Sequence, residues 1–105
     1  MKGMLDTLVL AVLEEHKAHG YAIGARLAEL GVGEVAAGTL YPVLKKLDTA
    51  GLVATEWFLS DSGPARKVYE LTPQGRTELG ARRELWIGNR AIVDRVIGTG
   101  AGVAS

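Results

Sequence analysis

The chain has 105 residues, about the length of one domain, and its twelve basic and twelve acidic residues give a formal net charge of zero. Zero net charge excludes a global attraction to nucleic acid, so any DNA contact must depend on the placement of individual Lys and Arg residues. The absence of Cys excludes disulfides and thiolate sites. An apolar content of 48% is high for a small monomer and favours an additional apolar interface.

The first helix is predicted over residues 4–15. Its main apolar stripe consists of Leu5, Leu8, Val9, Val12 and Leu13. Because Leu10 and Ala11 leave little of the circumference polar, we expect this helix to be buried from two sides. The second side is expected to contact another subunit, and the alternative is a central core helix of one domain.

The apolar run of this helix, Leu5 to Leu13, is too short to span a bilayer. It has no signal-peptide cleavage pattern, and the acids Glu14 and Glu15 follow it at once. The expectation is a cytoplasmic protein without a membrane partner.

The residues from His16 to Gly20 are predicted to form a polar connection, followed by a second helix from about Tyr21 to Leu30. The core-facing residues of that helix are expected to be Ile23, Leu27 and Leu30. A short Gly-containing connection leads to the third helix. This order is typical of a helix-turn-helix, in which the second helix of the pair enters the major groove of DNA.

The histidines of this region, His16 and His19, lie close together but have no Cys or Asp ligand beside them. A metal site is therefore not expected. His19 is interpreted as a residue that starts the second helix.

The third helix is predicted to begin near Thr39, because Pro42 is best tolerated in a first turn, where backbone N–H groups have no intrahelical partner. Its apolar stripe consists of Leu40, Val43, Leu44 and Leu47. Its opposite face carries Gly38, Pro42, Lys45 and Thr49, with Tyr41 and Lys46 on the flanks. Gly51 is expected to end the helix.

Four residues of this helix are candidate DNA ligands. Thr39, Tyr41 and Lys45 are assigned to the groove or adjacent phosphates, and Lys46 to phosphates. Lys45 is the candidate for a base edge, since Lys pairs with guanine acceptors. Two alternatives stay open: the lysines form a solvated face, and Tyr41 packs against the following hairpin.

Two strands are predicted after this helix, from Leu52 to Phe58 and from Arg66 to Leu71, joined by a turn at residues 60–64. Three helices followed by a hairpin is the winged-helix order. Arg66 and Lys67, just after the turn, are assigned to the DNA backbone. Trp57 is expected to pack under the hairpin.

The last helix is predicted to begin at Thr72-Pro73 and to run to about Ile97, roughly 37 Å. Leu79, Trp86 and Val93 recur at heptad spacing, which is typical of a helix that pairs with another chain. Arg82 and Asn89 lie inside this stripe. The tail from Gly98 to Ser105 is expected to be disordered.

The predicted fold class is mainly α with a small β-hairpin: a winged helix-turn-helix plus a long C-terminal dimerisation helix. The predicted divisions are a DNA-binding domain over 1–72, the dimerisation helix over 73–97 and the disordered tail over 98–105. The residues expected at the dimer interface are Leu5, Leu8, Val9, Leu79, Leu85, Trp86, Ile92, Val93 and Val96.

Four segments together resemble the PadR-type transcriptional regulators. The segments are His19-Gly20-Tyr21-Ala22-Ile23, Gly38-Thr39-Leu40-Tyr41-Pro42-Val43-Leu44, Leu47-Asp48-Thr49-Ala50-Gly51-Leu52-Val53 and Arg66-Lys67-Val68-Tyr69-Glu70-Leu71-Thr72-Pro73-Gln74-Gly75. The resemblance implies a homodimeric winged-helix repressor of the short-tailed, LmrR-like branch, whose first and last helices pack between subunits. In that branch planar ligands stack on a Trp, whose position Trp86 matches. The effector-binding residues that it implies are Trp86, Leu8, Val12, Asn89 and Val93.

The chain departs from the pattern of the family in two ways. Lys45 and Lys46 are the only bases on the outward surface of the third helix, and Gly88 interrupts the last helix. The first departure leaves few bases to contact DNA, and the second is expected to make the dimer packing looser than is usual in the family.

The expected function is therefore a regulator that binds a palindromic operator in double-stranded DNA and is released by a small apolar or planar aromatic effector at the dimer interface. The alternative is a winged-helix protein-interaction module without a DNA role. No enzyme is expected, since Ser60 and Ser62 have no His in sequence context and the glycines do not form a phosphate-binding spacing. No cofactor is expected.

Overall fold

The computed structural model describes residues 3–99, apart from the side chain of Ser60. Within these residues the chain forms four α-helices and one three-stranded sheet. In chain order the elements are α1 (Met4–Glu15), β1 (Ala18–His19), α2 (Gly20–Glu29), α3 (Ala37–Thr49), β2 (Val53–Ser60), β3 (Gly63–Leu71) and α4 (Pro73–Ile97). The predicted fold class is confirmed, with one strand more than the sequence indicated.

Helix α1 lies at the centre of the core and packs against α2, α3, α4 and β3. The buried apolar side chains are Val9, Leu10, Val12, Leu13, Ala18, Ile23, Leu27, Leu40, Leu44, Leu47, Val53, Tyr69, Leu71 and Leu79. Each large aliphatic side chain in this set stabilises the fold by roughly 1.5–3 kcal/mol relative to an exposed one. The core therefore holds the first three helices and the sheet together without a second chain.

Helix α3 begins at Ala37 and not near Thr39, so that prediction is wrong. The carbonyl of Ala36 accepts hydrogen bonds from the backbone N–H groups of Thr39 and Leu40, and no side chain caps the helix. Pro42 therefore lies beyond the first turn, where its ring removes one helical hydrogen bond. Gly51, at φ 76°, follows the end of the helix as expected.

Helix α2 begins at Gly20, and His19 caps it as predicted: the His19 Nδ1 accepts a hydrogen bond from the Ala22 N–H at 3.3 Å. The helix ends at Glu29. Leu30 is exposed beyond that end, so the expectation of a core position for it is wrong.

The sheet has the strand order β1-β3-β2, with antiparallel pairing throughout. Strand β1 lies in the segment that was predicted to be a connection, and it pairs Ala18 with Tyr69. This pairing brings the start of α2 beside the hairpin of β2 and β3. Trp57 on β2 is 63% exposed, so the prediction that it packs under the hairpin is wrong.

Helix α4 begins as predicted, with the Thr72 Oγ1 accepting a hydrogen bond from the Gly75 N–H at 2.9 Å and with Pro73 in the first turn. A Cβ at Gly75 would collide with the backbone carbonyl oxygen of Leu52, so a glycine is needed for this close approach. The helix continues through Gly88 and ends at Gly98, at φ 73°. Residues 100–105 of the predicted tail lie outside the described residues.

Only the first part of α4 contributes to the core, through Leu79. Beyond it, the apolar side chains that we call the α4 stripe are exposed in the single chain. The α4 stripe comprises Leu85, Trp86, Ile92, Val93 and Val96, which are 51% to 79% exposed. Leu79 and Val9 were expected at a dimer interface, but the chain's own core buries them, so neither is available to a partner.

Candidate nucleic-acid interface

The outer face of α3 is open to solvent. Its apolar stripe, Leu40, Leu44 and Leu47, is at most 3% exposed and faces the core. Thr39, Tyr41, Pro42, Lys45 and Lys46 are all exposed on the remaining surface. The burial of one stripe therefore fixes which side chains of this helix can meet a partner.

A groove of about 680 Å³ lies between the start of α2, the start of α3 and the hairpin. Its lining is rich in aromatic and basic side chains, and we call it the aromatic–basic groove. It is lined by His19, Gly20, Tyr21, Tyr41, Trp57, Ala65, Arg66, Lys67 and Tyr69. The groove thus joins α3 to the wing in one continuous surface.

Tyr41 forms the border between α3 and this groove. Its ring lies so close to Gly20 that a Cβ at that position would collide with it. Tyr41 is nevertheless about half exposed. Burial raises the pKa of the neighbouring Tyr69, with Tyr41 and Asp48 adding to the effect, so the Tyr69 hydroxyl stays neutral.

The bases of the groove come from β3. The Arg66 Nη1 lies 3.0 Å from the His19 Nε2, and the Lys67 Nζ lies 5.7 Å from the centre of the Tyr69 ring. A neutral imidazole has one acceptor nitrogen, and the Ala22 N–H already donates to the His19 Nδ1. His19 therefore cannot accept at both ring nitrogens, and the Arg66 guanidinium is exposed to solvent beside it.

The two lysines of α3 have different surroundings. The Lys46 Nζ forms an ion pair of 2.7 Å with the Oδ2 of Asp6 in α1. Lys45 is exposed and forms no ion pair with the residues that the structure describes. Lys45 is thus the lysine of α3 that is directly available to an anionic partner.

A second cavity, of about 340 Å³, lies between α1 and α4. It is lined by Gly3, Met4, Thr7, Leu8, Arg82, Leu85, Trp86 and Asn89. Of the side chains expected to bind an effector, Leu8, Trp86 and Asn89 meet here. Val12 is buried in the core and Val93 does not line the cavity, so the structure does not place either residue at this site.

Arg82 is the charged residue of this cavity, and α1 holds it in place. Its Nη1 donates a hydrogen bond to the Thr7 Oγ1 at 3.2 Å, and its Nε lies 3.7 Å from the Glu78 carboxylate. Its side chain is about one quarter exposed. Arg82, which lies inside the heptad stripe, thus connects α4 to α1 in the single chain.

The sequence did not indicate three residues of the aromatic–basic groove, namely His19, Tyr21 and Trp57, as partner contacts. Tyr21 is 82% exposed, which is unusual for a large aromatic side chain. For Trp57, its position opposite Lys67 in the predicted hairpin could have indicated this role. No pattern in the sequence predicts the pairing of β1 with β3, which brings His19 and Tyr21 to the same place.

No helix within residues 3–99 is both long and apolar enough to cross a membrane. In the same part of the chain, no group of three His, Asp or Glu side chains is placed to hold a metal ion.

A sequence model of the PadR-like family of transcriptional regulators matches residues 9–81. A transcriptional regulator from Mycobacterium tuberculosis is 40% identical over 65 residues, which cover 62% of this chain and 59% of that protein. The chain therefore matches about three fifths of the length of this relative.

Solved structures agree over more of the chain. A PadR-like transcription factor from Bacteroides fragilis has a TM-score of 0.82 and 35% identity, covering 90% of this chain and 91% of that one. A PadR family transcriptional regulator from Eggerthella lenta has a TM-score of 0.83 and 35% identity, covering 94% and 86%. The similarity includes α4 as well as the winged helix.

Proposed function

The chain belongs to the PadR-like family of transcriptional regulators, and we propose that it binds double-stranded DNA as a homodimer and represses transcription at an approximately palindromic operator. This family consists of transcriptional regulators and not of enzymes, in agreement with the prediction from the sequence. The proposed role also places the protein in the cytoplasm, with DNA.

The observation that carries this proposal is the continuity between the open face of α3 and the aromatic–basic groove. We call α2, α3 and the hairpin of β2 and β3 the reading head. In a winged helix, a recognition helix enters the major groove while the wing lies over the neighbouring backbone. We assign the first task to Lys45 on α3 and the second to Arg66 and Lys67 on the wing.

The proposed contacts divide into two kinds. Thr39, Tyr41 and Lys45 face the major groove and the phosphates that border it, with Lys45 directed at a base edge. Arg66 and Lys67 bind backbone phosphates. The exposed rings that line the same groove, Tyr21 and Trp57, pack against the sugar–phosphate backbone between them.

The homodimer is proposed from the α4 stripe. Its side chains are more than half exposed in the single chain, and such a contiguous apolar face is typical of a protein interface. We propose that the α4 stripe pairs with its copy, together with the partly exposed Leu5 and Leu8 of α1. The two reading heads would then enter successive major grooves, about 34 Å apart.

The effector site is proposed at the α1–α4 cavity. A volume of about 340 Å³ is within the range of small-molecule sites, and the Trp86 ring offers a stacking surface for a planar apolar or aromatic ligand. Such a ligand regulates only if it binds one spacing of the two reading heads more tightly than the other. We propose that it favours the spacing that does not fit the operator.

The DNA role is tested with duplexes selected from a random-sequence pool. Lys45→Ala should reduce the preference for a selected duplex over a random one by about tenfold, since one good base contact contributes about 1–3 kcal/mol of discrimination. Lys17→Ala is the matched control, because Lys17 lies over the Phe58 ring and outside the groove. An unchanged preference in Lys45→Ala would overturn the assignment of this residue.

The salt dependence of duplex affinity distinguishes DNA binding from the rival function, a protein-interaction module. Several phosphate contacts predict a steep fall of duplex affinity with salt concentration, and a flat response would favour the rival.

The effector proposal is tested by fluorescence. The chain has two Trp residues, so a Trp57→Phe variant reports on Trp86 alone. Planar aromatic drugs and phenolic acids should quench this emission at concentrations that also release DNA. Quenching that is instead lost in Trp57→Phe would show that these ligands bind at the other Trp.

A further inference from the structure

Asp6 is the one charged side chain that is buried among the residues that the structure describes, with 5% of its surface exposed. It lies in the first turn of α1, where the helix N-terminus stabilises a negative charge. The ion-pair partner of its carboxylate is the Lys46 Nζ on α3 at 2.7 Å. A buried acid of the core is thus paired with a base of the proposed recognition helix.

This pair differs from the other ion pairs of the chain. In the pair of Arg26 with Glu15, both side chains are more than one third exposed. In the pair of Lys46 with Asp6, the carboxylate side chain is 8% exposed while the lysine is 64% exposed. Taking the lysine away would leave a buried charge without its partner, which is far less favourable than separating two exposed charges. Lys46 is therefore retained by Asp6, although it lies at the surface.

We propose that Asp6 withholds Lys46 from DNA and so limits the number of phosphates that each reading head contacts. The inference rests on the proposed function. A DNA phosphate must compete with a buried carboxylate that already holds the Lys46 ammonium group. Lys45, with no such partner in the described residues, remains the base of α3 that binds DNA.

The consequence concerns specificity. Phosphate contacts raise affinity for every sequence alike, whereas base contacts distinguish an operator from other DNA. Because Asp6 holds Lys46, this lysine does not add to the affinity for DNA of any sequence. Asp6 is thus a positioning residue that acts through Lys46 and does not touch DNA.

The test measures the affinity of the full chain for a mixed-sequence duplex of about 30 base pairs, long enough for two half-sites, as a function of salt concentration. Each phosphate contact contributes about 0.9 to the slope of log affinity against log salt. Lys67→Gln removes a proposed phosphate contact and should reduce the slope by about 0.9 per reading head, and Lys46→Gln should leave it unchanged. Asp6→Asn should release Lys46 and make the slope steeper by about 0.9 per reading head, with tighter binding at low salt.

Two further variants separate this mechanism from a general effect of charge. Asp94→Asn removes the same charge from α4, remote from α3, and should leave the slope unchanged. The double variant Asp6→Asn with Lys46→Gln should return to the slope of the parent chain. A gain of affinity that depends on Lys46 is a readout that a merely structural role of Asp6 would not produce.

The inference is overturned if Lys46→Gln lowers the slope as Lys67→Gln does, because Lys46 would then already contact a phosphate. It is also overturned if Asp6→Asn has no steeper slope than the parent, or if the double variant keeps the gain. In these cases the parent still binds DNA and the proposed function stands. A parent chain that binds no duplex at any salt concentration would overturn both proposals.

Discussion

Helices α3 and α4 both carry apolar stripes, yet in the single chain the stripe of α3 faces the core and the α4 stripe is exposed. The stripe of α3, represented by Leu44, is completely buried. The α4 stripe, represented by Ile92, is about half exposed. Periodicity in a sequence therefore shows that a face is apolar, but it does not show which surface covers that face. In this chain the core covers one stripe and leaves the other exposed, and we propose that a second subunit covers it.

Helix α1 connects these two regions. It holds α3 through the ion pair of Asp6 with Lys46, and it holds α4 through the hydrogen bond between Thr7 and Arg82. The Arg83 Nη2 also lies 2.9 Å from the Glu14 carboxylate. Any change in the α1–α4 cavity therefore acts on a helix that also contacts the reading head.

The largest effect is expected for Leu44→Ala. Removal of a fully buried leucine should lower the free energy of unfolding by about 3 kcal/mol. The loss, measured by urea unfolding, should be similar at all protein concentrations, because the chain's own core buries this residue. Ile92→Ala should instead show a loss that is full where the parent is dimeric and that shrinks toward zero as the protein is diluted below the dissociation constant of the parent dimer. If both variants depended equally on concentration, the distinction between the two stripes would be lost.

The next effect concerns association. Ile92→Arg places a charge in the proposed subunit contact and should weaken dimerisation by at least about 100-fold, or about 2.7 kcal/mol. Sedimentation should show that this variant is a monomer. Its circular dichroism spectrum should show unchanged helix content. Glu84→Arg, on the face of α4 away from the stripe, is the matched control and should remain a dimer. Equal association of the two variants would mean that α4 does not form the contact.

The contact of the start of α4 with the backbone of Leu52 is tested at Gly75. Gly75→Ala brings a methyl group against the Leu52 carbonyl oxygen and should cost about 2 kcal/mol in thermal or urea unfolding. Gly88→Ala has no atom in its way and should instead stabilise α4 by up to about 1 kcal/mol. A neutral Gly75→Ala would show that the start of α4 does not need this close approach.

The smallest effect is a dependence on pH at the ion pair between α1 and α2. The hydrogen bond from Arg26 lowers the pKa of Glu15 below its ordinary value of 4.5. A lowered folded-state pKa means that the pair stabilises the fold above pH 4.5 and that the contribution is lost as pH falls through the folded-state pKa. Glu15→Gln should therefore lower the melting temperature slightly at pH 7, and the difference from the parent should shrink as the pH is lowered through the folded-state pKa of Glu15. A difference that does not shrink on acidification would assign the effect to packing.

The sequence predicted the elements whose stabilising contacts are local. The heptad spacing of Leu79, Trp86 and Val93 predicted α4, and the sequence Thr72-Pro73 predicted its start. The predicted start of α3 was wrong because the prediction placed Pro42 in the first turn. The helix begins earlier, where the carbonyl of Ala36 accepts its first backbone hydrogen bonds.

The sequence could not predict features that depend on contacts between distant segments. Strand β1 has two residues, too few for a periodic pattern, and it exists because β3 pairs with it. The aromatic–basic groove depends on that pairing, since it brings Tyr21 beside Trp57. The ion pair of Asp6 with Lys46 likewise joins α1 to α3, and nothing in the sequence around Lys46 indicates it.

We propose that one reading head binds DNA weakly and that pairing through the α4 stripe makes binding effective by joining two reading heads. The most direct measurement compares the salt dependence of duplex affinity for the parent chain and for Ile92→Arg. The monomeric variant should have about half the slope of the parent, because it contacts half as many phosphates, and its affinity should be lower by about 100-fold or more. Equal slopes and affinities in the two proteins would show that pairing through α4 does not contribute to DNA binding.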